Sequence, residues 1–285
     1  MNKIKISIPL STSNLGCGFD TFGLALDLCN NYEFEENDEY QLVGFLNKYN
    51  NDNNMCLCAY KKTFELLNKQ EIKVKITIDQ HIPNCGGLGS SANVIIAGVS
   101  AAYYFIYHHI DKDEIAMLAC EIEGHPDNVL AEIYGGLTSA VKLDKEIKHF
   151  KYEINNDLIF TLLVPSFSLN TKEMRACLPK MVKLEDAIFN LSRSANLVYA
   201  LNKGELADII YLMNDKLHQA YRIDKIKGAK EVEAYAQKNK YAFAISGSGA
   251  ALILVSKEKI KDSFADFKKY ELKVNNEGIK IYEEN

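Results

Sequence analysis

Residues 3–9 alternate apolar and polar side chains, which predicts a first strand there. YEFEEND and YQLVGFL read as further strands or edges, and NKYNNDNNMC as a polar turn or flexible loop. CLCAYKKTFELLNK has helical spacing, with Tyr60, Phe64 and Leu67 on one side. Residues 72–80, IKVKITIDQ, alternate again and predict a strand. A glycine loop and the apolar run VIIAGVSAAYYFIY follow, the latter read as a helix. DKDEIAMLACEIEG predicts a second helix capped by Asp111 or Asp113, and GGLTSAVKL a strand. Composition turns polar over 145–157, which places a soft boundary there. Beyond it, LIFTLLVP reads as a buried strand. Three helices follow, in LEDAIFNLSRSANLVYALNKG, ELADIIYLMNDKLHQAYR and GAKEVEAYAQKN. YAFAISGSGAALILVS reads as strand, turn and strand, and the last segment as a charged helix and one strand. Strands and helices alternate irregularly, so the pattern predicts an α+β fold rather than a doubly wound parallel sheet.

The 285 residues suffice for one large or two modest domains. A net charge of -5 speaks against nucleic acid, whose readers carry basic patches, but leaves room for a locally positive anion site. No uncharged apolar stretch of about 18 residues or more is read as a membrane span. The N-terminus has no signal-peptide pattern, so a cytoplasmic protein is expected. Seven scattered cysteines show neither zinc spacing nor a disulfide framework, and are read as reduced thiols.

Candidate chemistry gathers in six segments. PNCGGLGSSAN combines three glycines and two serines just ahead of a helix start. Glycines let main-chain amides turn inward, and a helix start adds unpaired N–H groups and partial positive charge, a combination suited to phosphate. A serine hydroxyl here could also reach Mg²⁺. The same residues also suit an ordinary turn capped by Ser90 or Ser91, and the segment alone does not choose. PLSTSNLGCGFDTFGLAL places Asn14, Asp20 and three glycines behind the first strand. EIEGHPDNVLAEIYGGL crowds Glu121, Glu123, His125, Asp127 and Asn128 at a helix end, although a histidine beside a proline is as often a turn residue. VPSFSLNTKEMRACLP holds Thr171 and Arg175, four residues apart and thus on one helical face. LHQAYR carries His218 and Arg222, and AISGSGAALIL a second glycine turn. His218 and Arg222 are each ambiguous when taken alone.

These six segments, in this order, resemble the homoserine kinase family of the GHMP kinase superfamily, and the resemblance covers nearly the whole chain. The first motif separates this family from its relatives, which carry a lysine-bearing P-G-K segment and G-E-H there; this chain has neither. The resemblance implies a two-domain α+β fold. An N-terminal domain like domain 2 of ribosomal protein S5 would span 1–152, and a ferredoxin-like C-terminal domain 153–285. It implies ATP-dependent phosphorylation of L-homoserine, a step of threonine biosynthesis, with Mg²⁺.

Carried over residue by residue, ATP is expected on Pro83, Asn84, Cys85, Gly86, Gly87, Leu88, Gly89, Ser90, Ser91, Ala92 and Asn93. Mg²⁺ is expected on Ser90 or Ser91 and on Glu121, with Glu123 the competing choice. Homoserine is expected on Asn14, Asp20, Thr171, Arg175 and Arg222: arginine forks for its carboxylate and Asp20 for its ammonium. Asn128 would orient its hydroxyl, with His125 and Ser91 nearby. Family members are often dimers, so a homodimer is an open expectation, though no sequence feature marks an interface. Gly86 stands where the family often has an arginine, so ATP would depend more on Mg²⁺ and main-chain amides. The motif usually ending G-S-G-P-T reads G-S-G-A-A here, with little effect expected. A kinase of another small alcohol such as mevalonate, and a non-catalytic ligand-binding protein on the same fold, are the competing readings.

Overall fold

The computed structural model describes residues 3–83, 85–143 and 146–284. Its strands are β1 (Lys3–Ser13), β2 (Phe22–Glu36), β3 (Gln41–Val43), β4 (Val74–Asp79), β5 (Leu137–Lys142), β6 (Ile147–Tyr152), β7 (Ile159–Pro165), β8 (Ala242–Ile245), β9 (Leu252–Ser256), β10 (Phe267–Leu272) and β11 (Lys280–Glu284). Its helices are α1 (Met55–Leu66), α2 (Ser90–Tyr107), α3 (Lys112–Glu123), α4 (Pro126–Tyr134), α5 (Thr171–Ala176), α6 (Leu184–Lys203), α7 (Leu206–Leu212), α8 (Gln219–Arg222) and α9 (Ala229–Asn239).

Two sheets result. The first runs β11-β1-β2-β4-β3, with β5 on β2 and β6 on β5; the second runs β10-β7-β9-β8. All pairings are antiparallel except β3 with β4, in keeping with the expected α+β class. β6 ends at Tyr152, and Lys280–Glu284, near the end of the chain, return to pair with β1 in the first sheet.

One apolar cluster packs α1, α2 and α3 on the first sheet through Tyr60, Phe64, Ile96, Phe105, Leu118 and Phe34. α2 carries no charged residue and is long and apolar enough to cross a membrane. However, 72% of it is buried inside the protein, as befits a core helix. The other cluster joins Leu10, Leu24 and Leu88 of the first half to Phe160, Leu163 and Leu252 of the second. Each such side chain, fully buried, contributes about 1.5–3 kcal/mol. The junction that carries the site is therefore held by core packing as well as by loops.

Three sequence expectations change. β1 extends through Ser13 rather than stopping at residue 9, because Leu10–Ser13 pair with Gly23–Leu26 of β2 beyond a register shift at Pro9/Leu10. The stretch 205–222 is broken after α7. There Asp215 accepts from the main-chain N–H groups of Leu217, His218 and Gln219 and starts the new turn of α8. The charged segment near 257–272 forms β10 and no helix, because its aromatic and leucine positions pair with β7.

Candidate active site

A cavity of about 380 Å³ opens at the junction of the two halves. One wall is the segment 85–91. Gly87 (φ +89°) and Gly89 (φ +68°) sit in the left-handed region, and a Cβ on Gly87 would lie 2.1 Å from Ser246 O. The second glycine turn holds this loop: Ala251 N donates to Gly86 O (3.2 Å) and Ser246 Oγ to Gly87 O (2.5 Å). The helix start is capped by Gly89, not by a serine side chain. Among the described residues, no acceptor meets the main-chain N–H groups of Gly87 to Ala92, and Ser90 Oγ is buried without a partner. Unpaired N–H groups at a helix start attract anions.

Ser91 Oγ donates to Glu123 Oε2 at 2.7 Å. Burial pushes the Glu123 and Asp127 carboxyls above their usual range, and Asp127 adds to the shift of Glu123. Crowded carboxyl and hydroxyl oxygens beside an anion site are a donor set that suits a hard divalent cation. Glu121, the residue expected there, is exposed and does not line the cavity. Successive helical residues turn by 100°, so Glu121 and Glu123 at the end of α3 point nearly opposite ways.

At the other side the bend after β1 sets Asp20 against α5. Arg175 Nη1 and Nη2 donate to Asp20 Oδ2 and Oδ1 at 2.8 and 2.9 Å. Arg222, fully buried, donates through Nε to Met174 O and through Nη1 to Gly247 O, each at 3.2 Å. Burial, and then the Arg175 guanidinium, disfavour its charge. Two guanidinium groups thus converge where Asp20 is the paired carboxylate, an arrangement that suits an added carboxylate.

His218 resolves as a support for this corner. Its Nε2 lies 2.9 Å from Gly16 O and its Nδ1 3.2 Å from Arg222 Nη1, so a neutral ring carrying its proton on Nε2 satisfies both. Burial lowers its pKa, in the direction of that neutral form. Phe19 stacks on the same ring at 5.1 Å.

Between the two sides stands Asn128, its Oδ1 2.9 Å from Ser11 Oγ and its Nδ2 3.3 Å from Ser13 Oγ. Asp127 Oδ1 accepts from Asn128 N at 2.9 Å. His125 precedes Pro126 as the exposed N-cap of α4 and lines the cavity without capping through its side chain.

Of the expected residues, the cavity gathers Asn14, Asp20, Cys85, Gly86, Gly87, Gly89, Ser90, Ser91, His125, Asn128, Thr171, Arg175 and Arg222. Asn14 acts through its neighbours, accepting from Asp20 N and donating to Gly247 O. Pro83, Leu88, Ala92 and Asn93 do not line it: Leu88, Ala92 and Asn93 are buried behind the loop, and the Asn93 amide serves Pro9 O and Tyr32. Asn84 lies outside the described residues. Sequence reasoning missed the far, apolar end, where Phe45, Tyr49, Met55 and Val94 meet Asn30 and Gln80. The signal available was Asn54, which caps α1 through Cys56 N and Leu57 N and donates to Tyr49 O, fixing an apparently loose loop.

The GHMP kinases N terminal domain family matches residues 54–136. Homoserine kinase of Clostridium botulinum (strain ATCC 19397 / Type A) is 34% identical over 269 residues, 94% of this chain and 91% of that protein. That of Thermotoga petrophila is 38% identical over 257 residues, 87% and 89% of the two chains. The crystal structure of homoserine kinase from Cytophaga hutchinsonii superposes with a TM-score of 0.86 at 24% identity, covering 99% and 98%, which shows a shared fold. With relatives above 30% identity matched over nearly their whole length, the chain belongs to the homoserine kinase family of the GHMP kinases.

Proposed function

We propose that this chain transfers the γ-phosphoryl group of ATP to the hydroxyl of L-homoserine, giving O-phospho-L-homoserine and ADP. The observation that carries the reading is one cavity holding both an unpartnered amide loop and the Asp20–Arg175–Arg222 cluster, with Asn128 between them. The apolar end at Phe45, Tyr49 and Met55 takes the nucleobase, and the amides of 87–91 take the phosphates. Homoserine is a zwitterion. Its ammonium takes over Asp20 and its carboxylate takes Arg175 and Arg222, so the existing ion pair exchanges partners rather than leaving either charge bare.

The hydroxyl oxygen then accepts from Asn128 Nδ2 and attacks phosphorus in line. The new O–P bond forms as the bond to the β-phosphate bridge breaks, and the hydroxyl proton leaves on the transferred phosphoryl group. Asp127 holds Asn128 through its main-chain N–H and, at 3.4 Å, through its side-chain Nδ2, and is assigned this positioning role rather than that of the base. Phosphoryl transfer needs mostly positioning and charge neutralisation, so a strong base is unnecessary.

The donor set fits Mg²⁺, which would be held by Glu123 with Ser90 or Ser91. When bound, Mg²⁺ supplies charge neutralisation between the phosphates. The test is product identity. Incubation with Mg²⁺-ATP and L-homoserine is expected to yield a mass equal to O-phosphohomoserine, and its absence at saturating substrates sinks the reading.

A second copy of the chain is the partner this reading adds. On α6, Leu184, Ile188, Leu191 and Tyr199 form one stripe and are 76%, 54%, 69% and 60% exposed. A stripe of that kind suits self-complementary packing about a two-fold axis. Sedimentation is expected to give a dimer that Leu191→Glu dissociates; a wild-type monomer at micromolar concentration removes this partner. All seven cysteines are free thiols, which supports a reducing compartment such as the cytoplasm.

A further inference from the structure

Glu132 lies one helical turn after Asn128 on the same face of α4, fully buried, and takes no part in the chemistry above. Its surroundings fix how its proton must be arranged. Asn30 Oδ1 accepts from His81 N and Ile82 N, both at 2.9 Å, so Asn30 Nδ2 faces Asn93 Oδ1. That oxygen also accepts from the Tyr32 hydroxyl at 2.8 Å, while Asn93 Nδ2 donates to Pro9 O at 3.0 Å. Asn93 therefore presents its N–H to Glu132 Oε2, at 3.2 Å, and Oε2 is an acceptor.

The other carboxyl oxygen begins a row of three oxygens. Glu132 Oε1 lies 2.7 Å from Ser11 Oγ, which lies 2.9 Å from Asn128 Oδ1. Two contacts in a row of oxygens need two protons, and Ser11 brings one. The loop sits directly above this row: a Cβ on Gly89 would lie 2.1 Å from Glu132 Oε1 and 2.2 Å from Ser11 Oγ.

We propose that Glu132 is a positioning residue held as a neutral acid, donating its proton to Ser11, which donates to Asn128 Oδ1 and so keeps the Asn128 N–H groups toward the reacting hydroxyl. This rests on the reading that Asn128 orients that hydroxyl. Burial pushes the Glu132 carboxyl well above its ordinary value. Glu123 from α3 and Asp127 from α4 push it the same way, Ser11 and Asn93 pull it back, and Tyr32 and Cys29 of β2 are the other titratable groups that feel its charge. When Glu132 loses its proton, Ser11 turns its hydrogen to the carboxylate. Asn128 Oδ1 then faces bare lone pairs, so its amide turns over at the cost of its long Nδ2 contacts to Ser13 Oγ (3.3 Å) and Asp127 Oδ1 (3.4 Å), and sets a carbonyl oxygen, instead of an N–H, toward the substrate.

The test compares Ser11→Ala, Glu132→Leu, Glu132→Gln and Asn128→Ala, each checked for folding by thermal unfolding. Ser11→Ala and Glu132→Leu are expected to lower kcat about tenfold, the size of one lost hydrogen bond, with KM for ATP within about twofold. Glutamine can donate through Nε2 where the acid donates and accept where it accepts, and it does not titrate. Glu132→Gln is therefore expected to recover most of the kcat lost in Glu132→Leu and to lack the alkaline fall in kcat expected of the wild type.

Stability gives a readout free of catalysis. A carboxyl whose folded value is raised contributes stability that is complete below its unfolded value and lost as pH rises through the folded one. The wild type is expected to lose stability over that window relative to Glu132→Gln. Wild-type kcat in Ser11→Ala beside a slow Asn128→Ala overturns the relay, as does a Glu132→Gln as slow as Glu132→Leu with the wild-type pH profile. Wild-type kcat in Asn128→Ala overturns the role of Asn128 and the relay with it. Should Glu132→Leu fail to fold, Ser11→Ala and Glu132→Gln still decide.

Discussion

Asp20→Asn is expected to raise KM for L-homoserine by roughly 10–100-fold and to leave KM for ATP within about twofold. A hydrogen bond to a charged group is worth about 1.5–3 kcal/mol, and each 1.4 kcal/mol is tenfold. Asp20 is 41% exposed, so solvent screening puts the effect in the lower half of that range. The substitution is clean. Asp20 adopts φ +52°, a left-handed conformation that asparagine tolerates, so the bend after β1 survives. The amide also keeps the shape of the carboxylate while losing the charge that neutralises an ammonium. Steady-state kinetics with each substrate varied check it. Equal rises in both KM values would indicate a distorted loop, and no rise would remove Asp20 from the substrate site.

Glu123→Gln is expected to lower kcat by a factor on the order of 100 or more and to raise the Mg²⁺ concentration needed for half activity, while Glu121→Gln stays within about twofold. Charge stabilisation by a bound cation is worth several kcal/mol in phosphoryl transfer, so weakening one of its ligands is felt in the rate. Glu123 accepts the Ser91 hydroxyl at the head of α2, whereas Glu121 points to solvent from the same helix end. Activity titrated with Mg²⁺ separates the two. A large loss in Glu121→Gln with a normal Glu123→Gln reverses the assignment.

The glycine loop ahead of α2 and the alternation of β4 were legible because local chemistry alone specifies them. The phase of α3 was not, since a motif that tolerates Glu121 or Glu123 says nothing about which faces the loop; helix geometry decides it. Asn93 read as a loop ligand because it follows the serines. It is the fourth residue of α2, by which point the helix has turned its side chain inward to Pro9 O. A strand was legible in the last segment, but not the pairing of β11 with β1, because β1 lies at the opposite end of the chain. The asparagine-rich stretch before α1 read as a polar turn or flexible loop by composition. One cap, Asn54, orders it and brings Tyr49 and Met55 to the cavity. His218 and Glu132 carry their meaning only through partners far along the sequence, Gly16 and Ser11, so no local pattern could assign them.

The most direct test of the central claim is ADP release with Mg²⁺-ATP and L-homoserine, L-serine or mevalonate, with the phosphorylated product identified by mass. The account predicts strong turnover of L-homoserine alone: serine sets its hydroxyl one methylene short of Asn128, and mevalonate has no ammonium for Asp20. Preferred turnover of mevalonate would keep the phosphate loop but contradict the amino-acid pocket, and ATP binding without any turnover would contradict the enzyme.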